Sequence, residues 1–437
     1  MNEQVLEQVI IKKITWRLIP FLVLTYFVCY LDRVNVGFAA LTMNKDLGFT
    51  ATIFGAGAGI FFLGYFLFEV PSNLALQKYG ARFWIARIMI SWGLLSAAMA
   101  MVQGKTSFII IRFLLGAAEA GFFPGIILYL TYWFPARYRA AIVSRFMFAI
   151  PVSLLIGAPV SGLILNMNGV LGLAGWKWLF IFEGIPSVVL GFITFYYLTD
   201  TPAKAEWLEP NERQWLQAQL DRERASVESV RKYTLGQALL NPRVLVLGLV
   251  YFTLQIGIYG VNMWLPQIIK RFGSLTTLQI GLIAAIPFTA AAIGMLAWGH
   301  SSDKKFERKL HLTVAFLLGA FGLLGSALFS TNPVLTITLL SLSSIGLYAA
   351  MPVFWTVPPI FLTGTAAAGG IALINSIGNL GGFAGPFTVG WIRDATGNFI
   401  YGLVFLGVSV LVGGIIAYIC CQRVQETAKA SGKAAGR

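Results

Sequence analysis

The sequence predicts an all-α membrane protein with twelve transmembrane helices arranged as two six-helix bundles. Of its 437 residues, 57% are hydrophobic and only 11% are charged, whereas a soluble globular domain carries roughly 25% charged residues. Long apolar runs follow one another along the chain, and a single long polar segment divides them into two sets of six. The runs do not alternate apolar and polar residues, which excludes a transmembrane β-barrel.

Each predicted helix is an apolar run bounded by charged residues, proline or glycine. A transmembrane helix needs roughly 20 predominantly apolar residues, and every run reaches that length. The runs cover residues 16–40, 52–76, 83–103, 106–133, 140–166, 176–199, 244–269, 279–300, 310–330, 333–362, 368–392 and 400–421. No cleavage site follows the first run, so we expect an uncleaved first helix.

The polar segment after the sixth run is predicted to be a linker, residues 200–243, between an N-terminal bundle, 1–199, and a C-terminal bundle with its tail, 244–437. Apolar residues recur in it at near-helical spacing, which predicts one amphipathic surface helix beneath the bundles, with a partner-binding helix as the alternative. These residues are Trp207, Leu208, Trp215, Leu216 and Leu220.

The basic residues that give the net charge of +14 are dispersed between apolar runs instead of forming a nucleic-acid-binding patch. We therefore interpret the charge as an indication of how the loops are oriented across the membrane. Most Lys and Arg residues lie on the side that carries the termini and the linker, which the positive-inside rule assigns to the cytoplasm of a bacterial inner membrane. The three cysteines, Cys29, Cys420 and Cys421, lie in or beside apolar runs. We therefore expect no disulfide, no metal site and no cofactor.

The two halves repeat a basic loop after their second helix, at Asn73–Arg82 and at Gly299–Arg308. A repeated six-helix unit is typical of secondary transporters whose bundles rock about a site near the bilayer midplane. Two unrelated basic loops are the alternative. The second loop, with Gly299, Asp303 and Lys304, resembles the Gly-x-x-x-Asp-Arg-type motif of the major facilitator superfamily, whereas the first departs from it.

A more specific resemblance lies in the passage from Arg112 to Arg139, which is similar to the fourth helix and following loop of the anion:cation symporter family within that superfamily. Passages 29–35, 175–184 and 375–382 agree with it. The resemblance implies proton-coupled uptake of a carboxylate, with the tartrate and aromatic-acid branch nearest. A glutamine that sugar-acid members carry in the fifth helix has no counterpart here, which favours a smaller or more aromatic acid.

Four charged residues lie deep in apolar runs, where a charge is costly and marks a functional site. Asp32 and Arg33 lie in the first run, and Arg112 and Glu119 share one face of the fourth because seven residues advance roughly 700°. We expect all four to meet in one cavity, in which Arg33 binds the substrate carboxylate through two parallel hydrogen bonds.

Asp32 and Glu119 are the predicted proton carriers, because a carboxylate shielded from water can take up and release a proton. The resemblance implies that Arg112 joins them in coupling. The alternative is a static ion-pair network, such as Arg112 with Asp32. Glu69, Arg87, Arg145 and Glu183 lie nearer the predicted membrane ends and are interpreted as structural.

The substrate contacts are predicted from both halves. The resemblance places Tyr30 and Tyr65 along the substrate cavity. The chain has no Asp, Glu, Lys or Arg from Leu310 to Ile392, so the second half is expected to contribute uncharged contacts, with Asn379 first and then Asn375 and Trp355. Gln255, Tyr259, Asn262 and Trp264 are further candidates of the same kind, although amides in membranes equally form interhelical hydrogen bonds.

These observations predict a secondary active transporter that imports a small organic anion by proton symport with alternating access. The resemblance implies that it acts as a monomer. The alternative is a proton-coupled exporter, whose helix-five Gly-x-x-x-Gly-Pro motif is only partly present at Gly157-Ala158-Pro159. We do not expect an enzyme, because the chain has only two histidines and no carboxylate cluster at a membrane face.

Overall fold

The computed structural model describes residues 3–228, 241–305, 307–358 and 364–434, and within these ranges the regular structure is entirely helical. The predicted fold class is therefore confirmed. The helices are α1 (Glu3–Asp46), α2 (Ala51–Tyr79), α3 (Ala81–Ala98), α4 (Lys105–Glu119), α5 (Phe122–Thr131), α6 (Ala136–Met147), α7 (Ala149–Leu165), α8 (Gly175–Tyr197), α9 (Pro210–Glu228), α10 (Pro242–Lys270), α11 (Thr277–Lys305), α12 (Lys309–Leu328), α13 (Pro333–Trp355), α14 (Gly364–Thr396) and α15 (Ile400–Ala434).

Eleven segments of the described chain are long and apolar enough to cross a membrane. Helix α14 covers the remaining predicted run, 368–392. The fourth span consists of α4 followed by α5, and the fifth consists of α6 followed by α7. All twelve predicted runs overlap helices, and only the end of the tenth, from residue 359, lies outside the described residues.

The break in the fourth span comes directly after Glu119, and the sequence analysis did not predict it. Ala120 leaves the helical region, and Gly121 adopts a left-handed conformation with φ +86°. A Cβ atom at Gly121 would also collide with the Ser72 hydroxyl of α2. Glycine is therefore required both by the backbone conformation and by the close approach of α2.

Helices α1 to α8 form the first bundle and α10 to α15 the second. The predicted amphipathic helix is present as α9, outside the bundles, but it begins only at Pro210, so Trp207 and Leu208 lie in the turn before it. Lys13 of α1 donates a hydrogen bond of 2.8 Å to Glu212 of α9, and the ring of Trp207 stacks on that of Trp133 at 5.3 Å. The apolar face of α9 is buried at Leu216, so the helix packs beneath the first bundle.

The bundles meet along three helix pairs, which are α1 with α10, α2 with α14, and α7 with α11. Backbones approach closely there. A Cβ atom at Gly55 would collide with the Pro386 carbonyl, and one at Gly390 with the Ala51 carbonyl. Small residues permit this contact without a cavity between the helices.

We call the membrane end where α1 ends and α2 begins the far side, and the opposite end, where α1 begins, the terminal side. The far side is closed by polar contacts between bundles. Lys270 donates to the Leu41 carbonyl at 2.6 Å, and the Thr277 hydroxyl donates to the Gly162 carbonyl at 2.9 Å. Both α10 and α11 are therefore fastened to the first bundle at this end.

Asp394, near the end of α14, caps the beginning of α2 across the same interface. It accepts hydrogen bonds from the backbone of Ala51 at 3.0 Å, and from the backbone and hydroxyl of Thr52 at 2.7 and 2.6 Å. Partial burial alone would raise the pKa of Asp394, but these hydrogen bonds outweigh burial and hold it below its ordinary value. A carboxylate at a helix N-terminus is also favoured by the helix dipole.

Candidate functional site

A central cavity lies between the two bundles and receives side chains from both. Arg33 is the one fully charged side chain among the described residues that line it. The other polar lining groups are tyrosines and amides, namely Tyr26, Tyr30, Tyr65, Tyr251, Gln255, Tyr259, Asn375 and Asn379. The cavity thus combines one cation with hydrogen-bonding groups and aromatic faces.

Arg33 bridges the bundles from α1. Its Nε donates to Glu119 Oε1 at 3.0 Å, its Nη2 also pairs with that oxygen, and its Nη1 donates to the Tyr259 hydroxyl of α10 at 3.1 Å. The Cys29 thiol donates to the same Glu119 oxygen at 3.3 Å. Glu119 Oε2 is buried and has no hydrogen-bond partner among the described residues. Glu119 thus faces Arg33 and Cys29 through only one of its two carboxylate oxygens.

Aromatic rings surround the Arg33 guanidinium. Its central carbon lies 5.6 Å from the ring centroids of Tyr30 and Phe61 and 5.4 Å from that of Tyr65. Such contacts stabilise a cation held away from water. Tyr30 and Tyr65 also line the central cavity, whereas Phe61 lies behind it.

Asp32 points away from the cavity into the first bundle, although it precedes Arg33 in the chain. Its Oδ2 accepts hydrogen bonds from the Trp92 indole at 2.9 Å and the Ser187 hydroxyl at 2.6 Å, and its Oδ1 accepts one from Ser96 at 2.6 Å. Successive helical residues differ by about 100° around the axis, so the two neighbours face different surroundings.

Arg112 also lies outside the cavity. Its Nε donates to the Gly57 carbonyl at 3.2 Å and its Nη2 to the Ala58 carbonyl at 3.1 Å, which fastens α4 to α2. The expectation that the four charged residues meet in one cavity is therefore wrong, and so is the alternative ion pair between Arg112 and Asp32. Seven residues advance a helix by about 10.5 Å, so Arg112 shares a face with Glu119 but lies at another depth.

The predicted contacts of the second bundle separate into two groups. Asn375 and Asn379 line the cavity, whereas Trp355 lies behind Tyr251, with the two rings edge to face at 5.0 Å. Asn262 bonds to the Tyr348 hydroxyl at 3.0 Å, and the Trp264 indole donates to a backbone carbonyl. These last two form interhelical bonds instead of facing the cavity.

Glu69 and Glu183 are buried and accept hydrogen bonds from neutral side chains, instead of extending to the membrane interface as interpreted from the sequence. Glu69 is 1% exposed and accepts hydrogen bonds from Asn375 at 2.5 Å and Ser376 at 3.0 Å, across the bundle interface. Glu183 is buried within the first bundle and accepts from Ser161 at 2.7 Å.

Sequence reasoning also missed two lining tyrosines, Tyr26 and Tyr251. A signal for Tyr26 was present, because it precedes Tyr30 by four residues and Arg33 by seven, the spacing of a single helix face. Tyr251 likewise precedes Gln255 and Tyr259 at intervals of four. Helical periodicity applied to polar residues within the apolar runs would have found both.

Comparison with known proteins gives consistent matches over nearly the whole chain. The sequence model of the Major Facilitator Superfamily matches residues 22–386. A protein of Agrobacterium vitis named "Putative tartrate transporter" is 52% identical over 421 residues, which cover 96% of each chain. A protein of Acinetobacter baumannii named "Quinolone resistance transporter" is 45% identical over 420 residues, again 96% of each.

Among solved structures, a bacterial homologue of the human lysosomal transporter Spinster, in an inward-facing and unoccupied conformation, superimposes with a TM-score of 0.76. The match covers 93% of this chain and 97% of that one at 14% sequence identity. At that identity the likeness concerns the fold alone.

Proposed function

Because the chain belongs to the major facilitator superfamily, we propose that it imports a small organic anion, a carboxylate such as tartrate or an aromatic acid, together with protons. Family membership confirms the resemblance noted in the sequence. It makes the chain a multi-pass membrane transporter and not an enzyme.

The observation that carries the proposal is the position of Arg33 in the cavity between the bundles. A guanidinium holds a carboxylate through two parallel hydrogen bonds, and a buried one strongly favours anions over cations. Tyrosine hydroxyls and amides around it match the hydroxyl groups of a hydroxy acid, and their rings match an aromatic acid. The relative named as a tartrate transporter supports the same substrate class.

Proton coupling follows from competition for Arg33. In the structure its guanidinium is paired with Glu119. A proton on Glu119 removes the negative charge and frees Arg33 for the carboxylate of the anion. When the anion leaves, Arg33 returns to Glu119 and the proton is released. The anion therefore binds with a proton, and both cross the membrane in one movement.

The other predicted coupling residues take different parts. We assign the second proton to Asp32, which is buried and has only neutral hydrogen-bond donors among the described residues, Trp92, Ser96 and Ser187. Its protonation would rearrange contacts between α1, α3 and α8. Arg112 supports the site indirectly by holding α4, and hence Glu119, against α2.

Transport requires the two bundles to alternate the access of the cavity. We propose that residues 1–199 and 244–437 rock as units joined by the linker 200–243, with both termini in the bacterial cytoplasm, as the positive-inside rule favours. The far side, closed here, is then the periplasmic side. The cavity is built from one chain, which is consistent with a monomer.

Uptake into proteoliposomes under an imposed inward proton gradient tests the proposal. Labelled tartrate, hydroxyphenylacetate, phthalate and a sugar acid are compared side by side. Accumulation of one acid above its external concentration is expected, and Glu119→Gln should abolish accumulation while sparing counterflow exchange. Equal loss of both in that variant would remove Glu119 from the proton path.

Proton-coupled export is the second candidate, favoured by the 45% identity to the protein named as a quinolone resistance transporter. Quinolones themselves carry a carboxylate, so Arg33 could hold one. The same proteoliposomes, preloaded with a labelled fluoroquinolone, measure its efflux when the proton gradient is applied. Gradient-driven efflux of the fluoroquinolone, with no accumulation of any acid, would show that the protein exports its substrate instead of importing it.

A further inference from the structure

Glu69 is a buried carboxylate that the transport scheme above does not use. It lies on α2 one helical turn beyond Tyr65, toward the terminal side, and beside the central cavity. Its side chain is hydrogen-bonded to the opposite bundle: Oε1 accepts from Asn375 Nδ2 and Oε2 accepts from the Ser376 hydroxyl, both on α14. We call this arrangement the Glu69 contact.

The described surroundings of Glu69 hold no cation that pairs with it. The titratable or charged groups around it are Tyr65 on α2, Arg33 on α1, Glu119 on α4 and Tyr251 on α10. Of these only Arg33 is positive, and it is paired with Glu119. Neutral donors of the second bundle are therefore what stabilises a negative charge at this position.

Helices α3 and α5 also pack against α2, but their titratable groups have other partners. Arg87 of α3 lies 4.1 Å over the ring of Trp84, and the Tyr129 hydroxyl of α5 donates to the Thr199 carbonyl at 2.8 Å. Neither forms a hydrogen bond with Glu69. The charge on Glu69 therefore depends mainly on α14.

We propose that Glu69 is a further proton-binding site, whose negative charge holds α2 against α14 and whose protonation releases them. When the bundles rock apart at this interface, a charged Glu69 would lose both donors at once. An unpaired carboxylate shielded from water is strongly destabilised, so the movement requires a proton on Glu69. A protonated carboxyl pays no such penalty and allows the interface to change.

The inference rests on the proposed proton coupling but concerns a different carboxylate and a different step. Glu119 links a proton to anion binding, whereas Glu69 links a proton to movement of the bundles. Its test therefore measures conformation without any anion, so that a wrong substrate or a wrong transport direction leaves the result interpretable.

The measurement is the distance between spin labels on the terminal side of the purified full-length protein, where release of the Glu69 contact would separate the bundles. Lys78, near the end of α2, and Lys304, near the end of α11, are exposed on opposite bundles. Cysteines at these two positions, with the three native cysteines replaced by serine, report opening of the terminal side. Distances are recorded by pulsed electron spin resonance at about pH 8 and about pH 5, which brackets the range of buried carboxyls.

In the parent protein the population with long distances should grow as the pH falls. Glu69→Gln should show that long-distance population already at the higher pH. Ser376→Ala keeps the carboxylate but removes one donor, so its transition should move to higher pH. Glu183→Gln is the matched control, because Glu183 is buried but bonds within its own bundle, and it should behave like the parent.

Three outcomes would overturn the proposal: a parent protein whose distances ignore pH, a Glu69→Gln variant that matches the parent at both pH values, or a Glu183→Gln variant that shifts as far as Glu69→Gln. The Ser376→Ala variant keeps the test decisive if Glu69→Gln does not fold. A parent-like transition in Ser376→Ala would then count against the Glu69 contact.

Discussion

At the scale of single residues, the geometry around Arg33 shows how one cation can serve two carboxylates in turn. It already holds Glu119 and Tyr259, one from each bundle. In the proposed scheme, a substrate carboxylate takes the place of the protonated Glu119 and restores the pairing of the guanidinium. This exchange would link anion binding to a proton through a single arginine.

Replacing Arg33 with alanine should remove anion binding. A hydrogen bond to a charged group contributes about 1.5–3 kcal/mol, so the loss of one such bond corresponds to a roughly 10- to 150-fold weaker affinity. Arg33→Lys keeps the positive charge but cannot form the two parallel hydrogen bonds, so its anion affinity should lie between those of the wild type and Arg33→Ala. The half-saturation concentration of counterflow exchange measures this, and unchanged affinity in Arg33→Ala would place the anion elsewhere.

Arg112→Leu should reduce stability but leave coupling intact in the protein that folds. The substitution removes two hydrogen bonds from the Arg112 guanidinium to carbonyls in the interior of α2, and a hydrogen bond from a charged group contributes about 1.5–3 kcal/mol. A lower melting temperature is expected in detergent. The ratio of protons to anions transported should equal that of the wild type. A changed ratio would support the coupling role that the resemblance implies for Arg112.

The positions of the twelve helices could be predicted from the sequence because each is a membrane-length apolar run with charged or breaking ends. The side-chain partners could not, since they depend on which helices meet. Asp32 finds its donors on α3 and α8, 60 to 155 residues away in the chain. Glu69 finds its donors on α14. Nothing local in the sequence specifies such contacts.

At the scale of elements, the break between α4 and α5 fixes the position of Glu119 as the last residue of α4. Because the following Ala120 and Gly121 are not helical, the chain turns directly beyond the carboxylate. The sequence shows a glycine there, but glycine is frequent throughout the chain, with 46 copies, so its presence did not predict this break.

Gly121→Ala should lower both stability and anion affinity. The left-handed conformation costs a residue with a Cβ atom about 1–2 kcal/mol, and the added methyl group would also meet Ser72. Gly104→Ala is the control, because its added methyl group meets nothing nearby and its backbone is extended. The melting temperature and the half-saturation concentration of counterflow exchange are measured for both variants. If Gly121→Ala has the same stability and anion affinity as the wild type, the break does not have the role stated here.

Asp394 makes a second carboxylate contact between α2 and α14, and its pH dependence differs from that proposed for Glu69. Its pKa is held below the ordinary value, so its stabilisation of the closed far side is fully present above about pH 4 and is lost only as the pH falls through the lowered pKa. From about pH 5 to 8 this contact should stay constant.

Asp394→Asn should therefore favour opening of the far side at every pH in that range. The amide retains one acceptor oxygen but loses the charge at the N-terminus of α2, worth typically 0.3–1 kcal/mol. A second pair of spin labels on the far side, at Lys45 and Ser274 on opposite bundles, should show more of the long-distance population, while the response to pH of the terminal-side pair at positions 78 and 304 persists. Loss of that response would assign it to Asp394 instead of Glu69.

At the scale of the whole molecule, the structure combines a closed far side with a central cavity that both bundles line. Contacts along α2 and α14 differ in kind over their length. Backbone packing and Asp394 hold the far end, whereas Glu69 holds the part toward the terminal side. We thus propose that the anion binds in the central cavity at Arg33, and that protons act both there, at Glu119, and at the bundle interface, at Glu69.

The most direct test of proton and anion import is the internal pH of proteoliposomes that contain a trapped pH-sensitive dye. Tartrate is added outside, with no gradient imposed and with its entry followed by a label. If tartrate and protons enter together, the interior becomes acidic as tartrate enters, and Glu119→Gln abolishes the acidification. Entry of tartrate with no change of internal pH, or with alkalinisation, would contradict joint entry.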